Sequence, residues 1–228
     1  TFFGQQSNAV ERIARDFAPL GRGHVTTREN VQFHFIPLER ATEVLRILGE
    51  AGLSTREACG NSVRNVTGSP YAGVGKDEVF DPTPYAGAFV RYFVRKPFTQ
   101  DLPRKFKVAF SSTAGDDAIA GIHDIGFMPE IREVQGEQIK GFRMLVGGGL
   151  ATFARNAEEL YGFVPVSDFL RVSEALLRVF NASKELRKSR FKARIKFLVS
   201  WIGIDGLRAR VEEELKEEWA RKPIDPEP

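Results

Sequence analysis

A single cysteine, Cys59, in 228 residues is the strongest constraint on what this chain can fold into. It rules out an internal disulfide framework, an all-cysteine zinc module and any iron–sulfur cluster held by four thiolates of this chain. The fold must rest on an ordinary packed core, and the length allows one large domain or two small ones. With 42% hydrophobic and 28% charged residues, the composition is that of a globular protein and not of a disordered or fibrous one. No window approaches the roughly 20 apolar residues that span a bilayer. The opening Thr1-Phe2-Phe3-Gly4-Gln5 shows no positive leader before a long apolar run. The expectation is a cytoplasmic protein with no membrane partner. A formal charge of +3 suits an anionic ligand but is too small to argue for nucleic acid.

Periodicity divides the chain. Asn8 to Leu20 reads as a helix broken by Gly21-Arg22-Gly23. From His24 to Ile36 a strand is expected, with Val31, Phe33 and Phe35 on one face. Ala41, Val44, Leu45 and Leu48 mark an amphipathic helix over Glu39 to Glu50, which Gly52 closes. Helix, strand and helix in about 50 residues make a small α+β unit. Cys59 to Asp81 reads as a long glycine-rich loop, and such loops are more often functional than idle. A helix over Tyr85 to Arg95 follows, then strands at Lys105 to Ser111, Ile122 to Met128 and Gly141 to Val146, the last ending at Gly147-Gly148-Gly149. The remainder reads as helical, with Phe169, Val172, Leu176 and Val179 on one stripe and Leu207, Val211, Leu215 and Trp219 on another. Three prolines in Arg221 to Pro228 read as the start of a linker. The expected divisions are 1–54, 55–220 and a linker at 221–228.

Three stretches place cations where folding does not require them. Thr26-Thr27-Arg28-Glu29 precedes the first alternation; alone, Arg28 reads as an exposed arginine near a strand start. Cys59 to Gly68 carries Arg64 among glycines and asparagines. There it either hydrogen-bonds loop carbonyls or offers a planar, permanently charged fork to an anion that the small residues let approach. In Leu102-Pro103-Arg104-Lys105-Phe106-Lys107, strand geometry projects Lys105 and Lys107 together, opposite Phe106, Val108 and Phe110. A solvated face explains that pair, and so does an anion held between two ammonium groups that otherwise repel.

In order along the chain, Gly21–Arg28, Thr55–Gly68, Leu102–Lys107, His123-Asp124-Ile125-Gly126-Phe127 and Gly141–Leu150 resemble the first half of the siroheme-dependent nitrite and sulfite reductases. The likeness runs from about Ala9 to the last helix. It implies a ferredoxin-like half-domain followed by a siroheme-type α/β domain, an α+β (α/β) chain that forms one half of a pseudo-two-fold enzyme. It also implies sulfite or nitrite as substrate, siroheme and a [4Fe–4S] cluster as cofactors, a carboxy-terminal half of the same enzyme as partner, and ferredoxin or a flavoprotein as electron donor. Arg28, Arg64, Lys105 and Lys107 are then expected around the oxyanion, with the lysines able to give protons and the arginines able only to orient and stabilise. Thr27, Asn65, Thr67, Gly148, Gly149, Lys192 and Arg194 join Arg28 and Lys107 as expected siroheme contacts.

The cluster cysteines of such enzymes lie in the second half. Cys59 is accordingly expected to be a small buried thiol, and His24, His34 and His123 are expected in structural or outer roles. Gly147-Gly148-Gly149 fails as a dinucleotide fingerprint because Thr152 stands where the third glycine belongs. The basic run Lys184 to Lys196 has Phe191 nearly alone among its charges, so it reads first as a solvated or interfacial face, second as a contact to cofactor carboxylates and last as a nucleic-acid patch. The rival from another class is a non-catalytic module of the same fold that docks a tetrapyrrole or a partner half.

Overall fold

Ala9, Ile13 and Phe17 recur every four residues, and this spacing winds the first segment into a helix with one buried stripe. The computed structural model describes residues 4–151 and 153–224. These divide into two units, one up to Ala58 and one from Cys59 onward.

In the first unit, α1 (Gly4–Asp16) packs on α2 (Ala41–Glu50) through Ile13, Phe17, Val44 and Ile47. The Arg40 guanidinium lies 3.8 Å over the Phe17 ring and donates to the Asp16 carbonyl at 2.8 Å, tying the two helices at their ends. The expected strand over His24 to Ile36 is instead a short antiparallel pair, β1 (His24–Val25) and β2 (Val31–Gln32). Thr26 causes the reversal: its Oγ1 accepts from the Arg28 and Asn30 amides at 3.2 and 3.3 Å, and its own amide donates to the Asn30 carbonyl. The alternation then fails at Phe35, which is left-handed (φ 64°) and 75% exposed.

The second unit is built on a five-stranded sheet in the order β3 (Val63–Gly68), β4 (Phe106–Phe110), β5 (Ile125–Val134), β6 (Glu137–Val146) and β7 (Glu158–Pro165). β3, β4 and β5 are mutually parallel, while β6 and β7 run antiparallel. Gln135 and Gly136, both at positive φ, make the two-residue turn between β5 and β6. Two strands escape the sequence reading. β3 lies inside the expected loop because its register shifts between Val63 and Val66, and this irregularity removes the two-residue period. β7 lies in the stretch expected to be helical, where Gly162 and Pro165 obscure an edge strand.

Helices α3 (Thr83–Phe93), α4 (Phe169–Ala182) and α6 (Ile195–Glu214), with the short α5 (Lys184–Arg187), supply the rest of one continuous core. Gly203, at φ 72°, kinks α6. The four-residue recurrence of Leu207 and Val211 outlasts the helix, so Trp219 sits in a separate 3-10 turn, Glu218–Arg221. Of the expected linker, residues 225–228 lie outside the described residues. Phe106, Val108 and Phe110 of β4 are fully buried, as are Phe127 of β5 and Phe142 of β6. Phe110 and Phe127 stack at 4.4 Å, and Phe89, Phe142 and Phe169 meet them edge-on. Glu174 of α4 is buried beside this core and accepts from Tyr92, Lys96 and Arg178. Burial raises its pKa, but these donors hold the carboxyl below its ordinary value. No helix among the described residues is long and apolar enough to cross a membrane.

Candidate functional site

The pleat of β4 sends Phe106, Val108 and Phe110 toward the helices and Lys105, Lys107 and Ala109 to the opposite face. On β3, Thr67 pairs beside Ala109 and so joins that second face, with Asn65 two residues before it. Thr67 Oγ1 donates to the Val108 carbonyl at 3.3 Å. The 3-10 turn Ala120–Ile122 and Leu145 cover this face over Ala109 and Met128. Lys105, Lys107 and Asn65, nearer the strand starts, are only half-buried.

A cationic group gathers at that end. Arg64 is anchored by its Nε, which donates to the Gly60 carbonyl at 2.9 Å. Burial pushes the Lys105 amine below the ordinary lysine value, and the charges of Arg64, Arg104 and Arg194 push it the same way; Asp124 opposes them. Asp124, fully buried at the start of β5, accepts from the Lys107 amide at 2.8 Å and from Arg194 Nε and Nη2 at 3.1 and 2.8 Å. Lys196 is 3% exposed and donates to the Leu150 and Phe153 carbonyls, both at 3.1 Å. Its pKa too is lowered, by burial first and then by Arg194, again against Asp124. Arg155 donates to the Lys196 carbonyl at 3.2 Å and pairs with Glu158. Phe153, Arg155, Lys192, Lys196, Phe197, Ser200 and Trp201 line an adjoining cavity of about 260 Å³.

The second unit therefore brings Arg64, Asn65, Lys105, Lys107 and Arg194 to one end of the sheet, with Thr67 buried farther along β3 and exposed Lys192 at the neighbouring cavity. Thr27 and Arg28 belong to the first unit, on the β1–β2 turn, where the Arg28 carbonyl accepts from Asn30 Nδ2 at 2.9 Å. Asp124, Arg155 and Lys196 were not expected from sequence as site residues. No local sequence signal marks Asp124, whose partner Arg194 is seventy positions later, and burial of Lys196 left none. Cys59 is exposed and not the buried thiol expected, because it lies where the two units divide and outside either core. His123 fits its structural role, since it is 5% exposed and its Nδ1 donates to the Ile119 carbonyl at 2.8 Å.

The glycines after β6 are sites of close approach. A Cβ on Gly148 would lie 2.4 Å from the Gly121 carbonyl oxygen and within 3 Å of the His123 backbone. Because those atoms are backbone, Gly148→Ala is expected to destabilise the second unit by about 1–3 kcal/mol. Urea denaturation followed by circular dichroism checks this, and an unchanged midpoint would count against such tight packing.

At the far ends of β3 and β4, Asp117 accepts from Ser111 Oγ at 2.6 Å, Ser112 Oγ at 2.8 Å and the Ser112 amide at 2.9 Å, and also from Ser69. Burial alone would raise its pKa, but these hydrogen bonds outweigh it and hold the carboxyl at about 2. A depressed carboxylate stabilises the fold fully above its unfolded pKa, near 4, and loses that contribution as pH falls toward 2. Solvent screening of this partly exposed group discounts the contribution to about 1 kcal/mol. Asp117→Asn is expected to reduce the acid loss measured between pH 7 and pH 3; an unchanged loss would mean other groups carry it.

A family model described as the nitrite and sulphite reductase 4Fe-4S domain matches residues 59–219, and one described as the nitrite/sulfite reductase ferredoxin-like half domain matches residues 4–51. The chain is 38% identical over 212 residues to a sulfite reductase [ferredoxin] of Mycobacterium tuberculosis, covering 93% of the chain and 36% of that protein. It is 32% identical over 220 residues to the assimilatory ferredoxin-dependent nitrite reductase of Haloferax mediterranei, covering 92% and 37%. The chain thus spans little more than a third of these relatives' length. Among solved structures, the Mycobacterium tuberculosis NirA protein superposes with a TM-score of 0.81 at 35% identity, covering 98% of this chain and 39% of that one. Dissimilatory sulfite reductase I shares the fold with a TM-score of 0.73 at 9% identity, covering 93% and 66%. On both family models, the chain belongs to the nitrite and sulfite reductase family.

Proposed function

We propose that this chain is the amino-terminal half of a siroheme- and [4Fe–4S]-dependent reductase that converts sulfite to sulfide or nitrite to ammonia. In this reading it supplies the cationic substrate pocket and part of the siroheme site. The domains are then 1–54 and 55–220, with a linker from 221. The observation that carries the reading is the gathering of Arg64, Lys105, Lys107 and Arg194 at one end of an otherwise packed sheet.

That donor set fits siroheme, a polycarboxylate, and it fits an oxyanion. Asn65, Thr67, Lys192 and Arg194, with the Gly148–Gly149 backbone, are the groups of this unit assigned to hold the tetrapyrrole; Thr27 and Arg28 are assigned from the other unit. The residues do not fit an iron–sulfur cluster: the one cysteine is exposed, and no group of metal-ligating side chains occurs among the described residues. Cluster ligands are therefore assigned to the partner half, and ferredoxin or a flavoprotein to electron delivery. When bound, siroheme supplies the iron at which electrons reach the anion. Reduction with loss of water consumes protons beside negative charge. Lys105 and Lys107 answer both needs, since an ammonium stabilises the anion and can give up a proton. The lowered pKa of Lys105 eases that transfer. Arg28 and Arg64 hold the oxyanion without exchanging protons.

Purification of the complete polypeptide, with tetrapyrrole spectra and a dye-linked assay on sulfite and nitrite, tests the reading. Bound siroheme and turnover of at least one anion are expected; a protein with neither defeats it. The 228-residue chain by itself is expected to hold no cluster and to reduce neither anion. Iron and sulfide analysis of the purified chain checks this, and a stoichiometric cluster would contradict it.

A further inference from the structure

Asp124 stands among the cations of the sheet end described above and is completely buried. Asp124 uses one oxygen to accept from Arg194 Nε and the other to accept from both Arg194 Nη2 and the Lys107 amide. A paired carboxylate and guanidinium meet in a planar, two-bond geometry that fixes orientation as well as distance. The opposite side of the guanidinium is equally constrained: a Cβ on Gly149 would lie 2.8 Å from Arg194 Nη1 and 3.2 Å from Cζ. Arg194 is thus held between a carboxylate and a glycine backbone. Its side chain keeps 16% exposure, and Nη1 makes no hydrogen bond among the described residues. Those N–H groups remain for an anion.

Resting on the reading above, we infer that Asp124 is a positioning residue, which fixes the Arg194 guanidinium and the Lys107 backbone so that Arg194 faces the siroheme carboxylate edge and the Lys107 side chain faces the oxyanion. Three features support this over a purely structural ion pair. The carboxylate joins two elements distant in sequence, β4 and the start of α6, and each carries an assigned contact. It is also the one carboxylate whose charge opposes the depression of both Lys105 and Lys196. And an ion pair whose carboxylate is fully buried stabilises a fold little compared with an apolar pair of similar size, so stability alone accounts poorly for its presence.

The test is a double-mutant cycle in the complete polypeptide, read as the rate of siroheme loss on dilution, with urea midpoints measured alongside. Asp124→Asn keeps an acceptor for the Lys107 amide but cannot grip Arg194 with two charged oxygens. Asp124→Asn and Arg194→Gln are each expected to speed siroheme loss by at least about tenfold. If Asp124 acts through Arg194, the double variant stays within about twofold of the singles. Multiplying effects, or siroheme retention like wild type in Asp124→Asn, would overturn the inference while leaving the proposed function intact. A wild-type polypeptide without siroheme would remove both. Should Asp124→Asn fail to fold, Arg194→Lys carries the test: it preserves charge and loses the two-bond grip. A tenfold faster loss of siroheme then supports positioning, and retention within twofold of wild type refutes it.

Discussion

Lys107→Met in the complete reductase is expected to lower kcat for sulfite and nitrite by roughly a hundred- to a thousand-fold, the usual effect of removing one charged contact to a developing anion. The substitution keeps the aliphatic stem and removes the ammonium. It leaves in place the anchor that Lys107 gives to the fold, because the bond to Asp124 comes from the backbone amide. Val108 on one side and Phe106 on the other are fully buried and pack on the helix side of the sheet, away from the substituted group. Urea midpoints are accordingly expected to change little while turnover collapses. The measurement is steady-state reduction at verified siroheme occupancy. Turnover near wild type would remove Lys107 from the site, and a collapsed midpoint would assign it a structural role. Arg64→Lys in the same assay separates charge from shape, since it retains the charge and loses the planar fork.

Phe127→Ala is expected to cost about 3–5 kcal/mol of stability, a large share of the roughly 5–15 kcal/mol that holds a typical domain together. Phe127 is fully buried on β5, stacked at 4.4 Å on Phe110 and touched by the rings of Phe89, Phe142 and Phe169. Truncation removes its own buried surface and also the partner of four other rings, which cannot all close the gap because all four come from strands or helices fixed by their own backbone bonds. Chemical denaturation of the isolated chain gives the value directly. A loss below about 1 kcal/mol would show that the aromatic cluster can repack freely.

The helix-facing strand β4 and its lysines were legible because Lys105 to Ser111 alternates without interruption, and alternation fixes which side chains share a face. The first unit's two helices were legible for the same reason at the helical period. β3 was not, although it carries Arg64, Asn65 and Thr67, because one irregular step between Val63 and Val66 erases the period. The hairpin at Thr26 to Asn30 was hidden differently: side-chain hydrogen bonds of Thr26 turn the chain, and no apolar pattern reports a polar bond. Asp124 was readable as a residue but not as a partner. Its significance depends on Arg194, seventy positions later in the chain, and only the folded sheet makes them neighbours.

The confinement of the long helices to one face of the sheet has a consequence for how such a protein can change over time. The three long helices of the second unit and the aromatic core lie on one face of the strands, while Lys105 and Lys107 project from the other. Substitutions on the polar side therefore leave the packing that sets thermal tolerance largely untouched. New ligand preferences can be tried there by single mutations without first acquiring compensating ones in the interior. Two positions are exempt from this freedom. Gly126 and Gly148 lie against backbone that no side chain could displace, so lineages that alter the ligand face are expected to keep both while the cations around them vary.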